Sequence, residues 1–502
     1  MRILKELTEV IKDINLSSKD FLTADNKKKS KLYQFYEKIV AGDFQTDDAA
    51  AQFLYGDTSS NSRYKNLKYN LRNVLINTLF FYKPRGKSDN YLSATIYCSK
   101  NINAGRILLS LSARNTSIDL YQKALKKALE VEHAEFIVTA SKQLRQIISI
   151  SRGDEEKFNY YNDLNKKYKA ILDAEDLAEE YYSLLVLPYT KSKEKREDTH
   201  VLAKKYHDQL SPLLDKYDSP RLHMLGRLIE ITSYLATNNF YKVIKLCKEG
   251  RDFFDSKPYI YNIPIRIFSH QELVSCIQLK NYEQGREAIQ VSLNSTKKGI
   301  HSWYIHQELH LMLALHSKEY DEAYHILNSV IKSKNFSRIK FNKERWEIHK
   351  IYIDFLIYIK RITVVEQQKF RLGKFLNSVP IYSKDKRGLN IPILIAQLLF
   401  MIVKKDYDQA IDRFEAIKKY CSRYVSKENN LRSNCFINML LQIPNSSFHK
   451  SGVIRKAQKY YDVLLATPLD VAGQAEEIEI IPYEDLWEFI LESLETKRYD
   501  RR

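Results

Sequence analysis

The chain has 502 residues, 44% hydrophobic and 28% charged, with a formal net charge of +18. It is long enough for several cores, or for a solenoid that needs no central one. No uninterrupted apolar run approaches a membrane span, and acids interrupt the segment Met1 to Ile11 where a signal peptide would be apolar, so a cytoplasmic protein is expected.

Glycine and proline are scarce, 13 and 11, which favours long helices. The 35 tyrosines supply ring area to helix interfaces while their hydroxyls stay wet. The positive balance favours an acidic partner, nucleic acid first and membrane surface or acidic protein second; lysine-rich solvent faces of helical repeats account for it equally well. Five dispersed cysteines (Cys98, Cys247, Cys276, Cys421, Cys435) lack metal spacing and read as reduced, mostly buried small residues.

Residues 1–20 form an amphipathic helix with Ile3, Leu4, Leu7, Val10, Ile11 and Ile14 on one side. The lysine run Lys27–Lys31 separates it from a helix over Leu32 to Val40. A short helix from Thr46 to Tyr55, capped by Thr46, leads through Gly56–Asn61 into a long helix from Ser62 to Tyr82. On that helix Leu67, Leu71, Val74 and Thr78 share a stripe widened by Leu75, while Lys65, Lys68 and Arg72 stand on the other side. Between Asn61 and Lys87 there are seven basic residues (Arg63, Lys65, Lys68, Arg72, Lys83, Arg85, Lys87) and no acid. Short helix, turn, long helix with an apolar back and a basic front is the pattern of a helix-turn-helix.

The stretch Thr46 to Leu75 resembles the middle of a winged-helix DNA-binding domain, in particular that of bacterial activators whose winged helix precedes tetratricopeptide-like repeats. The resemblance implies that Lys65, Lys68, Tyr69 and Arg72 face the major groove or the phosphates, with Arg63 in the same basic front. It also implies a hairpin wing after Tyr82, for which Tyr91–Tyr97 is a strand-like run. The competing expectation is a small helical cap whose Leu67, Leu71 and Leu75 pack on the repeats.

From about Ser99 helices are expected over 101–112, 116–131, 134–150, 154–173, 175–187 and 197–215. Phe158, Tyr161, Leu164, Tyr168 and Leu172 form a core stripe. Asp218-Ser219-Pro220 marks a boundary and a helix start. Beyond it a pattern recurs: a polar turn, an aromatic, then an amphipathic helix. The aromatics are Phe240, Tyr282 and Tyr320, 42 and 38 residues apart, with a fourth at Tyr407, 87 residues further on. That spacing fits stacked helix pairs with room for one unmarked pair. The pairs expected are 221–237 with 239–253, 264–280 with 282–297, 301–317 with 319–332, a less regular 343–360 with 364–378, and 389–404 with 406–421, followed by 425–441 with 450–466.

Ala314 with Tyr320 and Ala323, and Tyr407 with Ala410, resemble the small-residue and aromatic packing of tetratricopeptide (TPR) repeats. Val243 and Gly285 replace the usual alanine, which implies a divergent, TPR-like member. The fold class expected is all-α: a right-handed superhelical solenoid of antiparallel helix pairs behind a small N-terminal helical domain. Its divisions are 1–98, irregular repeats over 99–217, TPR-like repeats over 218–421 and a C-terminal cap over 422–502. Within that cap Glu476–Glu495 carries eight acids and no base, with Trp487, Phe489, Ile490 and Leu494 as an apolar component. It reads as a capping helix with a charged outer face, or as an acidic tail that docks on a basic surface, the N-terminal region included, and competes there with nucleic acid.

No glycine-rich phosphate loop or nucleophile elbow occurs. His306 and His310 share a helix face, but Glu308 stands about 200° around the helix from His306, so zinc-hydrolase geometry is missing and no metal or cofactor is called for. On a non-enzymatic repeat the first helices line the concave surface, which nominates Arg227, Glu230, Tyr234, His270, Gln271, His306 and His310 as protein-binding residues. The leading expectation is a non-catalytic scaffold or adaptor that binds a protein or peptide partner, without a membrane partner. The second is a dimeric regulator whose N-terminal domain binds double-stranded DNA while the repeats sense a partner. An enzyme requires distant acids and histidines to meet in a deep pocket.

Overall fold

The structure, a computed structural model, describes residues 1–14, 30–83, 90–151, 153–190, 196–333, 336, 343–363, 390–424, 431–467, 469 and 479–494. Every regular element among the described residues is helical, and none of these helices is long and apolar enough to cross a membrane. The chain divides into two compact units, Met1–Asn162 and Asp163–Arg502.

The first unit begins with α1 (Arg2–Asp13), α2 (Lys31–Ala41), α3 (Asp47–Tyr55) and α4 (Ser62–Thr78). The caps are those the composition suggests: Thr46 Oγ1 accepts from Ala49 N–H at 3.2 Å, and Asn61 Oδ1 accepts from Arg63 N–H at 2.7 Å. Leu4 and Ile11 of α1, Phe35 and Ile39 of α2, Ala51 and Leu54 of α3, and Tyr64, Leu71 and Leu75 of α4 share one core. This corrects the expectation that Leu67, Leu71 and Leu75 pack on the repeats: α1 and α2 supply the apolar face that covers them.

A second correction concerns the wing. Tyr91–Tyr97 lies inside a helix, α5 (Asn90–Ser110), and no strand occurs among the described residues. Apolar residues at alternate positions there mimic a strand, but the buried set is Ala94, Cys98 and Ile102, a helical spacing. Residues 84–89, including Arg85 and Lys87, lie outside the described residues.

Helices α6 (Arg114–Glu130) and α7 (Ala134–Ser151) follow α5 and pack in sequence on one another. Helix α8 (Glu155–Val186) contains the division between the units. Two helices were expected here, but neither glycine nor proline interrupts the segment, and Ala174, Ala178 and Leu185 carry its buried stripe through.

In the second unit come α9 (Arg196–Lys216), α10 (Pro220–Ala236), α11 (Phe240–Asp255), α12 (Asn262–Gln278), α13 (Tyr282–Asn294), α14 (His301–His316), α15 (Tyr320–Ile331) and α16 (Lys343–Tyr358). After them come α17 (Asn390–Val403), α18 (Tyr407–Tyr424), α19 (Leu431–Leu441), α20 (Lys450–Ala466) and α21 (Tyr483–Ser493). The expected helix 364–378 lies outside the described residues. Ser219 caps α10 as anticipated, its Oγ accepting from Leu222 N–H at 3.3 Å with Pro220 in the first turn.

One turn geometry closes the hairpins. After α12, Lys280 takes φ +55°, its N–H donates to Ile277 O, and Asn281 N–H donates to Cys276 O. These are the two hydrogen bonds of a Schellman motif. The same pair recurs at Asn238–Asn239, Lys318–Glu319, Lys360–Arg361 and Lys405–Asp406. Asn239 and Asn281 then cap the next helix, so a three-residue turn ends one helix and starts its neighbour. The turn at Lys360 is followed by buried Ile362, which takes the place of the missing aromatic. The turn that ends α16 therefore has the same closure, while the second helix of the unmarked pair inferred from spacing lies outside the described residues. Ser112–Ala113 and Glu132–His133 close α5–α6 and α6–α7 in the same way, extending the hairpin pattern where no aromatic marks it.

Candidate interaction surface

The turn positions carry charge as well as geometry. Lys280, Lys318 and Arg361 stand at the turns that end α12, α14 and α16, and α21 lies across them. Lys280 Nζ is 2.8 Å from Glu484 Oε1, and Lys318 Nζ is 2.9 Å from Asp485 Oδ1 and 3.8 Å from Glu488 Oε2. Arg361 Nη2 reaches both oxygens of Glu492, at 2.7 and 2.6 Å, while its guanidinium lies 5.1 Å from the Phe489 ring. Glu484, Glu488 and Glu492 are spaced one helical turn apart, so a single acidic stripe meets a row of cations. On the other side Leu486, Trp487, Phe489 and Ile490 are buried. Phe489 meets Tyr320 and Phe355, and Tyr483 stacks on Phe436 with centroids 4.4 Å apart.

Arg432 of α19 anchors the start of this segment. Its Nε donates to Glu479 Oε1 at 2.5 Å, Nη2 to Glu479 Oε2 at 3.0 Å and Glu484 Oε2 at 2.6 Å, and Nη1 to the carbonyls of Leu464 and Thr467, both at 2.8 Å. Every guanidinium N–H is thus used, the condition under which a buried charge is tolerated. Burial pushes the Glu479 carboxyl up despite Arg432, whereas at Glu484 Arg432 and Lys280 overcome burial and hold the carboxyl low. Glu479 Oε2 also accepts from Tyr483 N–H at 3.2 Å. His316 Nε2 donates to the Glu479 carbonyl at 2.9 Å, and burial pushes that imidazole down to about 4. The charged outer face expected of this segment is therefore only partial: Glu488 and Glu492 are exposed, whereas Glu479, Glu484 and Asp485 are buried. Glu476, Glu477 and Glu495 lie outside the described residues.

The seven nominated protein-binding residues sit on α10, α12 and α14 in separate settings. Arg227 lies over Phe253 of α11, with its guanidinium 5.6 Å from the ring, Glu230 faces His207 of α9 at 3.6 Å, and Tyr234 lies under Lys242. His310 Nε2 is 3.2 Å from Glu322 of α15. Gln271 is half-buried, and its carbonyl accepts from Ser275 Oγ. Only His270 and His306 meet, with ring centroids 5.9 Å apart, and burial pushes both down to about 4. Glu308, on the far side of α14 from His306, is buried against α16, where Arg345 and His349 approach its Oε1 at 2.8 and 3.0 Å. Burial opposes its charge, yet the His349 hydrogen bond and Arg345 hold this carboxyl below the usual range. Among the described residues no group of three or more histidines, cysteines, aspartates or glutamates is arranged to hold a metal ion.

On the N-terminal domain, Arg63, Lys65, Tyr69 and Arg72 are exposed along α4, and Tyr69 keeps 62% of its surface. Lys68 is half-buried and paired: its Nζ lies 2.8 Å from Asp47 Oδ1. Asp47 also accepts from Tyr64 Oη at 2.6 Å and pairs with the chain's amino group at 2.8 Å. Burial works against the Asp47 charge, but these partners hold its carboxyl well below the usual range. Phe80 and Phe81 extend the exposed face beyond the end of α4.

No protein-family model, curated protein or solved structure matches the chain. The functional reading therefore rests on these geometries. Docking of the acidic segment on a basic surface was one of the two readings of the sequence, and Lys280 and Lys318, in the polar turns before Tyr282 and Tyr320, belong to that surface. What periodicity alone did not show is that those lysines face the acidic tail.

Proposed function

We propose that this chain is a non-catalytic helical-repeat scaffold or adaptor, of divergent TPR-like type, that captures a helical segment of a protein partner. The observation that supports it is the seat of α21, because the hairpin turns already hold one helix by buried aromatics and flanking charge. Interfaces of this kind take affinity from the buried anchors and selectivity from the surrounding charges. Affinity purification of the full chain from its host, beside a Lys280→Glu/Lys318→Glu variant, tests it. A partner retained stoichiometrically by the first and lost from the second supports the reading. Retention of none, or equal retention by both, counts against it.

A second reading has its own support in the outward basic face of α4: the N-terminal domain binds double-stranded DNA and the repeats regulate it. Arg63, Lys65, Tyr69 and Arg72 are free to reach a groove or phosphates, while Lys68 braces the helix through Asp47. Lys65→Glu and Arg72→Glu are expected to weaken duplex binding and to reduce its salt dependence, by about one unit of slope for each phosphate contact removed. Gel-shift titrations at several salt concentrations check this, and absence of duplex binding at low salt removes the reading.

A further inference from the structure

We propose that α21 is the chain's own occupant of a binding site for acidic amphipathic helices, and that a partner helix of the same chemistry takes its place on Lys280, Lys318 and Arg361. The inference rests on the scaffold reading above and names the partner class for that surface.

The hairpins do not need α21 to complete their turns. Each turn backbone is already closed by its own two hydrogen bonds, and the cations are not spent inside their hairpins. Even with α21 seated, the Lys280, Lys318 and Arg361 side chains keep 52, 55 and 40% of their surface, so these arms reach the helix from solvent. The chain is strongly basic as a whole, yet residues 479–494 carry five acids and no base. Glu484, Asp485 and Glu488 crowd together on α21, and the cation row, with Arg432 at Glu484, relieves that like charge. At Asp485, burial together with Glu484 and Glu488 outweighs the Lys318 pair and pushes the carboxyl up.

The geometry also specifies a competitor. Counting from Glu484, acids stand at i, i+1, i+4 and i+8, and large apolar side chains at i+3, i+5 and i+6, which are Trp487, Phe489 and Ile490. The i+5 position needs an aromatic ring, since Phe489 fills the space beside Tyr320 and Phe355 beneath the Arg361 guanidinium. A partner helix lacking either stripe leaves apolar side chains or turn cations uncovered and does not displace α21.

The test uses a fluorescent peptide with the sequence of residues 479–494, titrated by anisotropy onto two full-length proteins, the wild type and Glu488→Lys/Glu492→Lys. The double variant weakens the resident helix at two exposed acids and leaves its apolar anchors in place. The peptide is expected to bind it at least tenfold more tightly than the wild type, and adding Lys318→Glu is expected to remove that gain. Equal binding to both proteins, or binding to neither while circular dichroism shows both folded, overturns the proposal. Should the variant misfold, hydrogen exchange of the wild type decides: α21 amides must open faster than those of α14, and equal protection makes α21 a fixed part of the fold. Loss of this proposal with partner retention intact in the purification experiment moves the capture site elsewhere on the repeats and leaves the scaffold reading standing.

Discussion

Arg432 shows how much one side chain organises. Its five N–H donors serve two carboxylates and two carbonyls brought together from α20 and the C-terminal segment. Arg432→Ala strands Glu479 and Glu484 beside the space it leaves, and losing one partner of a buried ionic group costs on the order of 3–5 kcal/mol. A urea titration followed by Trp487 fluorescence is expected to show that loss first in the C-terminal hairpins. The N-terminal amino group, Tyr64 and Lys68 play the same part around Asp47, on a smaller scale and closer to water.

At the scale of elements, the turn is the unit that repeats. Four of the hairpin closures place lysine at positive φ, at 280, 318, 360 and 405, where glycine is the relaxed choice. Lys360→Gly is therefore expected to stabilise the protein by about 1 kcal/mol, read as a raised denaturation midpoint. Helix pairing over 221–332 was legible because aromatic, small residue and polar turn recur together at Phe240, Tyr282 and Tyr320. The turn after α16 was legible only as a gap in that series, since Ile362 stands in for the aromatic. Hairpins α5–α6 and α6–α7 carried no marker at all, because Arg114 and Ala134 follow their turns. Helix α5 was misread in part, since a seven-residue window holding both alternation and a helical stripe does not decide between them until its partner is known. The basic front of α4 was legible in full, but not the removal of Lys68 from it, which depends on an aspartate 21 residues away.

For the molecule as a whole, three imidazoles set a pH dependence. His270, His306 and His316 each lie near 4 in the folded protein against about 6.5 in the open chain. The unfolded chain therefore binds more protons between those values, and the stability these groups contribute is complete above pH 6.5 and drains away as pH falls toward 4. Each unit of depression is worth about 1.4 kcal/mol at the acid end of that window. Glu308, held low, acts in the same sense further down, while Glu479 and Asp485, pushed up by burial, act against it. Urea midpoints are expected to hold between pH 8 and 7 and to fall between pH 6.5 and 4.5; a flat profile across the lower range would show these rings to be solvated.

The lysine at the hairpin bend has a further consequence. A bend that accepts backbone discomfort in exchange for a charged arm can be re-specified by changing one side chain, without touching the helices on either side. Asn238 occupies the same station one hairpin earlier and carries no charge there. Cations facing α21 can thus be added or erased bend by bend, so the charge of this edge changes in steps the size of a single hairpin.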